Sequence, residues 1–132
     1  MKLPVEDVAR LVKNLTPQQR ARVVHVSHSD YDVYIGDAVP SRGFEQSIWS
    51  NQFHCSSKDK ADPEKVKASV RTYTEWLLDQ MNTGEMTIEC IQRSLGGRRL
   101  GCWCRKGDGH DTKLCHGLVL VALMDHDVEA WF

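Results

Sequence analysis

The residues best suited to chemistry in this 132-residue chain are Cys102 and Cys104, one residue apart, and the adjacent pair Cys115 and His116 eleven residues on. Three thiols and an imidazole are the ligand set of a closed tetrahedral zinc site. Zinc takes soft sulfur and borderline nitrogen, and thiolates give up their protons to bind it. In a strand, Cys102 and Cys104 point to the same side with Trp103 on the other, so both sulfurs reach one ion. On a helix, Cys115 and His116 diverge by about 100°. Binding through both then needs a distorted first turn, or His110 in place of His116. The paired CxxC motifs of zinc ribbons are absent.

A second chemistry uses Cys115 as a nucleophile. At a helix N-terminus its thiolate is stabilised by the macrodipole, and His116 or His110 stands as general base. The third reading has no chemistry in it: Cys102 and Cys104 are small buried hydrophobes of a strand. Composition alone leaves all three open, with zinc as the cofactor the set would take.

A second group of residues suggests a ligand. Gly36 follows Tyr34-Ile35, and a glycine after a strand admits a phosphate or ribose close to the backbone; the alternative is an ordinary turn. Trp49 and Asn51, with Phe53, offer a stacking face and an amide donor, or else anchor a loop to the core. Gly117 lies in the first turn of a helix expected near Cys115, where backbone N–H groups attract anions. His25, His28 and His54 are scattered and read as surface or hydrogen-bonded residues. Cys90 reads as helix packing, and Arg71, Tyr73 and Trp76 more as core than as site.

The elements that must position these residues are legible in outline. Residues 4–13 form a short helix with Val5, Val8, Leu11 and Val12 on one face. Thr16-Pro17 begins a second helical turn. Val23, Val24 and Val26 start a strand, and Asp32–Ile35 make another, stopped by Gly36. Residues 36–61 form a long loop, of a length that is usually functional or mobile, with two large aromatics that pack down. Asp62-Pro63-Glu64 is a helix start, followed by Val66, Val70, Tyr73, Trp76, Leu77 and Met81 in steps of three and four. Gly84 breaks it. Ile88, Ile91 and Leu95 mark another helix, closed by Gly96-Gly97, and Leu100–Cys104 read as a strand. The apolar run Leu118–Met124 is taken as a buried helix starting near Cys115.

Strands alternating with helices give an α/β fold: one small Rossmann-like domain over 1–132, with a partly parallel sheet flanked by helices. Its core spans about 22–124, and residues 1–21 form an N-terminal helical extension. Ligands in such sheets bind beyond the carboxyl ends of the strands.

Composition narrows the partners. A net charge of −1 supplies no global basic field, which argues against nucleic acid, although Arg98, Arg99, Arg105 and Lys106 bracket the cysteine pair. No run of about 18 apolar residues exists, so no membrane span is expected. Five cysteines, an odd number bunched toward the C-terminus, suit reduced thiols and a cytoplasmic location rather than a disulfide framework. Trp131 and Phe132 would suit docking on a partner or a second copy, so a homodimer is one option; the other is that they cover the chain's own core.

The set Tyr31-Asp32-Val33-Tyr34-Ile35-Gly36, Ser47-Ile48-Trp49-Ser50-Asn51-Gln52-Phe53, Tyr73-x-x-Trp76-Leu77, Leu100-Gly101-Cys102-Trp103-Cys104 and Cys115-His116-Gly117 resembles an uncharacterised domain-of-unknown-function family of bacteria and phages. The resemblance covers roughly residues 22–124. It implies one domain and one site. The chain departs from the pattern at Asp37, where an arginine is usual, at Ser50 and Gln52, and at Leu118, where an acid is usual. The crevice implied by the resemblance thus lacks two charged groups.

The leading expectation is a domain that binds a nucleotide or related phosphorylated small molecule, through the loop after Gly36, the Trp49–Phe53 segment and the helix start at Cys115. The alternatives are an enzyme of nucleotide or nucleic-acid-base metabolism using Cys115 and His116 or a bound zinc, and a zinc-stabilised interaction module without catalysis. Whether the chain is an enzyme is left open.

Overall fold

A computed structural model describes residues 4–27, 30–53, 62–84, 87–103 and 114–125. The elements in chain order are α1 (Val5–Lys13), α2 (Pro17–Arg20), β1 (Val23–His25), β2 (Val33–Tyr34), a 3-10 turn (Pro40–Arg42), α3 (Pro63–Thr83), α4 (Ile88–Leu95), β3 (Leu100–Cys102) and α5 (His116–Asp125).

Local sequence sets the helix ends. Thr16 caps α2 in a reciprocal capping box: its hydroxyl accepts the Gln19 N–H, and the Gln19 side chain accepts the Thr16 N–H. Asp62 caps α3 by accepting the Glu64 N–H at 3.0 Å, with Pro63 at the first helical position. Thr87 caps α4 by accepting the Cys90 N–H. Cys90, expected to be packing, is instead exposed.

The three strands form one sheet in the order β1-β3-β2, parallel at both pairings. It is therefore wholly parallel among the described strands, where a partly parallel sheet was expected. The ladder extends past the strand ends through Ile35 N–H to Gly101 O at 2.9 Å and Val26 N–H to Cys102 O at 3.0 Å. Asp32 secures the start of the β2 pairing by accepting the Arg99 N–H at 2.8 Å.

Helix α5 holds the rest together. All nine residues from His116 to Met124 are buried, which is what a helix apolar on every side requires. Helices α1, α2, α3 and α4 each touch it. Its carboxyl end is clamped where Arg22 donates from one guanidinium nitrogen to both oxygens of Asp125, at 2.8 and 2.9 Å, with Gln19 joining at 3.2 Å. Val8 and Val12 of α1 lie in the same core, so the N-terminal helical extension is packed into the fold.

At its other end α5 touches the sheet directly. A Cβ on Gly117 would stand 2.8 Å from both the Ile35 Cδ1 and the Val23 Cγ1. Only a hydrogen fits there. Alanine at this helical position would gain about 1 kcal/mol of propensity over glycine. It would also be driven into two branched side chains from two strands, and overpacking of that kind costs about 1–3 kcal/mol. We predict that Gly117→Ala lowers stability by up to about 2 kcal/mol in urea unfolding, the overpacking cost less the propensity gain. An unchanged midpoint would show that α5 has slack against the sheet.

Candidate functional site

The carboxyl ends of the three strands and the amino end of α5 meet at one edge of the sheet, and two groups of side chains gather there. The first is the buried sulfur–imidazole cluster. Helix α5 begins at His116, so Cys115 is its N-cap and is not helical. That explains a difference from the sequence expectation: Cys115 and His116 do not diverge, and the Cys115 Sγ lies 3.7 Å from the His116 Nδ1. The Gly117 N–H donates to the same sulfur at 3.5 Å, and the Cys102 Sγ approaches it to 3.5 Å. The opposite ring nitrogen, Nε2, lies 2.8 Å from the Ile35 carbonyl oxygen. A carbonyl only accepts, so Nε2 carries the proton, and in the neutral ring Nδ1 faces Cys115 as an acceptor.

Burial bounds what this cluster can do. Cys102, Cys115 and His116 are 1%, 2% and 7% exposed. The amino end of α5 and the Gly117 N–H favour negative charge on Cys115, but only a small reagent reaches its sulfur. Beside the cluster, the Tyr73 ring stands edge-on to the His116 ring at 5.1 Å, and its hydroxyl donates to the Trp49 carbonyl at 2.8 Å. Desolvation, with the Cys115 sulfur nearby, pushes the Tyr73 phenol far above its ordinary value of 10.0.

The second group lies on the other face of the sheet. Leu100 and Cys102 of β3, and Val33 and Ile35 on β2, belong to the core around α5. Side chains one position along point the opposite way. Tyr34 and Trp103 project there, and the Tyr31 ring fills the space beside Gly101. Phe44 stacks on Tyr34 at 4.5 Å between ring centroids, and meets Trp103 edge-on at 5.5 Å. His25, ending β1, is edge-on to Trp103 at 5.6 Å. The Arg42 guanidinium sits over the Trp103 ring at 5.5 Å. The Trp103 indole N–H donates to the Tyr34 hydroxyl at 2.7 Å, which in turn donates to the Asp37 carbonyl at 2.5 Å. Desolvation raises the Tyr34 phenol, and the Trp103 hydrogen bond opposes it. The aromatic rings are half-buried, and Arg42 is exposed.

The expected ligand residues are placed differently from one another. Trp49 is buried at 4% exposure, so its ring packs in the core and the stacking surface at this edge is Trp103. The Asn51 side chain is occupied on both sides: it donates to the Ser69 hydroxyl at 3.0 Å and accepts the Phe53 N–H at 2.9 Å. Gly36 is needed because the Tyr34 ring folds back over it; a Cβ there would stand 2.5 Å from the Tyr34 hydroxyl. Gly117 sits at the α5 amino end, packed on Val23 and Ile35. Cys104, His28, His54, His110, Cys55, Arg105, Lys106 and the terminal Trp131 and Phe132 lie outside the described residues. Among the described residues no three His, Cys, Asp or Glu side chains are arranged to hold a metal ion.

Sequence reasoning missed Arg42, Phe44 and Tyr31 as site residues, and placed Trp103 only as the residue between two cysteines. The alternation of β2 puts Tyr34 on the face opposite Ile35, which was a usable signal. The return of the chain at Gly43, with φ 78°, and the Val39–Phe44 bridge that brings Phe44 onto Tyr34, left none.

Sequence comparison places the chain. It belongs to the family described as domain of unknown function DUF4326, which matches residues 18–126. No curated protein and no solved structure matches it. The matched stretch includes every strand among the described residues and the whole of both side-chain groups at the sheet edge, but not α1. Among the described residues no helix is long and apolar enough to cross a membrane.

The buried phenol beside the cluster makes a pH prediction. Tyr73 is held neutral in the folded chain, while the unfolded chain ionises it near its ordinary value of 10.0. Its contribution is thus complete below pH 10 and is lost as pH rises above it, at up to about 1.4 kcal/mol per pH unit. Tyr73→Phe removes that part of the slope, and also loses about 1 kcal/mol at neutral pH with the hydrogen bond to Trp49. Urea unfolding of both proteins between pH 8 and pH 11 measures the difference. Parallel pH profiles would contradict it.

Proposed function

We propose that the domain binds a nucleotide or related phosphorylated small molecule at the carboxyl edge of its parallel sheet. The observation that carries this reading is the placement of Trp103, Phe44 and Tyr34, with Arg42 over the indole, on one face of the sheet at its carboxyl edge. Stacked rings take a flat base, and a guanidinium takes a phosphate. The carboxyl edge of a parallel sheet is where Rossmann-like folds bind their ligands, and the analogy of position supports the reading. The base would displace the Arg42 guanidinium from the outer face of Trp103 and leave it free to pair with the phosphate.

Calorimetric titration with adenosine, adenosine monophosphate and inorganic phosphate tests this directly. Trp103→Ala is expected to weaken the monophosphate about tenfold to a hundredfold, the scale of one base–aromatic stack. Arg42→Ala is expected to weaken the monophosphate about tenfold and adenosine little. Full affinity in both variants, or no binding to the native chain, would remove the proposal.

The buried cluster supports a second reading, a bound zinc ion. Its support is the donor set itself, with the His116 ring oriented by a carbonyl so that Nδ1 faces the sulfurs, as outer partners orient metal-binding histidines. Cys104 would be the remaining thiolate. Elemental analysis of untagged protein is expected to find about one zinc per chain, lost in Cys115→Ser. Metal-free native protein excludes it.

A further inference from the structure

Cys102 and Cys115 have a chemistry that neither reading of the site uses. Their sulfurs are 3.5 Å apart, and both are buried. One ends β3 and the other caps α5, thirteen positions later in the chain. Both belong to the rigid core. A disulfide needs its sulfurs at about 2.0 Å, so closure asks for about 1.5 Å of movement, within reach of small side-chain rotations at two positions already facing each other. The two thiols also differ. Cys115 has the Gly117 N–H on its sulfur, the His116 Nδ1 at 3.7 Å, and the start of a ten-residue helix behind it. Cys102 ends β3.

We infer that Cys102 and Cys115 form a reversible dithiol–disulfide pair, with Cys115 as the attacking sulfur and Cys102 as the resolving one. The oxidant class is a hydroperoxide, and hydrogen peroxide is small enough to reach a buried sulfur. His116 Nδ1 takes the Cys115 proton. The Cys115 sulfur attacks one peroxide oxygen, the O–O bond breaks, and the departing hydroxide takes that proton as water. Cys115 is then a sulfenic acid, two electrons oxidised. Cys102 attacks its sulfur, the S–OH bond breaks, and the leaving hydroxide takes the Cys102 proton as a second water. Two thiols and one peroxide give one disulfide and two waters. A dithiol reductant reverses the change by thiol–disulfide exchange. The bond ties the end of the central strand to the start of α5, at the edge where the ligand is proposed to bind, but it does not depend on that ligand.

The test is peptide mapping under non-reducing conditions. Reduced native protein is treated with EDTA to remove metal, exposed to hydrogen peroxide, alkylated and cut with trypsin. Trypsin leaves Cys102 and Cys104 together in Leu100–Arg105, and Cys115 in the peptide beginning at Leu114. The Cys104→Ser chain therefore resolves which sulfur is joined. The expected result is a cross-link between the two peptides in native protein and in Cys104→Ser, reversed by dithiothreitol. Cys102→Ala should show none and instead trap Cys115 as a sulfenic acid, which dimedone labels when it is added together with denaturant. A cross-link that survives Cys102→Ala and disappears in Cys104→Ser would overturn the assignment. So would native protein whose Cys115 stays reduced, or passes to the sulfinic acid, with no cross-link.

Discussion

The closeness of α5 to the sheet is the constraint on which the rest of this structure depends. Gly117 lets the helix touch Val23 and Ile35 with no side chain between them. At that separation the His116 ring reaches the Ile35 carbonyl, and Cys115, capping the helix, reaches Cys102 on the central strand. At its far end the helix is held by Arg22 through Asp125. Four other helices pack on it. An apolar helix with partners on every side has one way to sit, and the cluster at its amino end inherits that precision.

The sheet has two unlike faces because strand side chains alternate. One face is sealed by α5 and carries the sulfurs and the imidazole. The other carries Tyr31, Tyr34 and Trp103, joined by Phe44 and Arg42 from the loop after β2. The central strand serves both, with Cys102 turned inward and Trp103, the next residue, turned outward. One face presents rings and a guanidinium at the surface. The other buries the sulfurs and the imidazole. Adjacent residues thus tie the aromatic face to the buried cluster.

Much of the framework was legible in the sequence, because its signals are local. The caps at Thr16 and Asp62-Pro63, and the steps of three and four along α3 and α4, each involve residues within a turn or two of one another. The apolar run Leu118–Met124 was resolved as a helix for the same reason: a glycine and a polar stretch precede it. Strand order was not legible, since the pairing of β3 between β1 and β2 joins residues more than sixty positions apart. Trp49 and Asn51 looked like ligand residues by type. Their roles were decided by partners distant in the chain, Tyr73 for one and Ser69 for the other. The angle between Cys115 and His116 was misjudged by a single residue of helix boundary, which is the least determinable feature of a helix from sequence. The aromatic face depended on where the loop after Gly36 returns, which no periodicity encodes.

The proposed ligand surface lies on the outer face of the sheet, at the carboxyl edge around Trp103. Apart from that edge, a groove of about 950 Å3 runs between α1 and α3, lined by Val5, Val8, Val12, Val66 and Val70 with Lys13 and Lys67 on its rim. Among the described residues it is a competing place for a small molecule to sit. Titrating adenosine monophosphate into isotope-labelled protein and following its amide and indole NMR signals separates the two. A ligand at Trp103 shifts the Trp103 indole N–H and the amides of Tyr34, Asp37 and Phe44 together, while those of Val8, Val12, Val66 and Val70 stay still. Shifts confined to the α1–α3 groove, or none at saturating ligand, would contradict it.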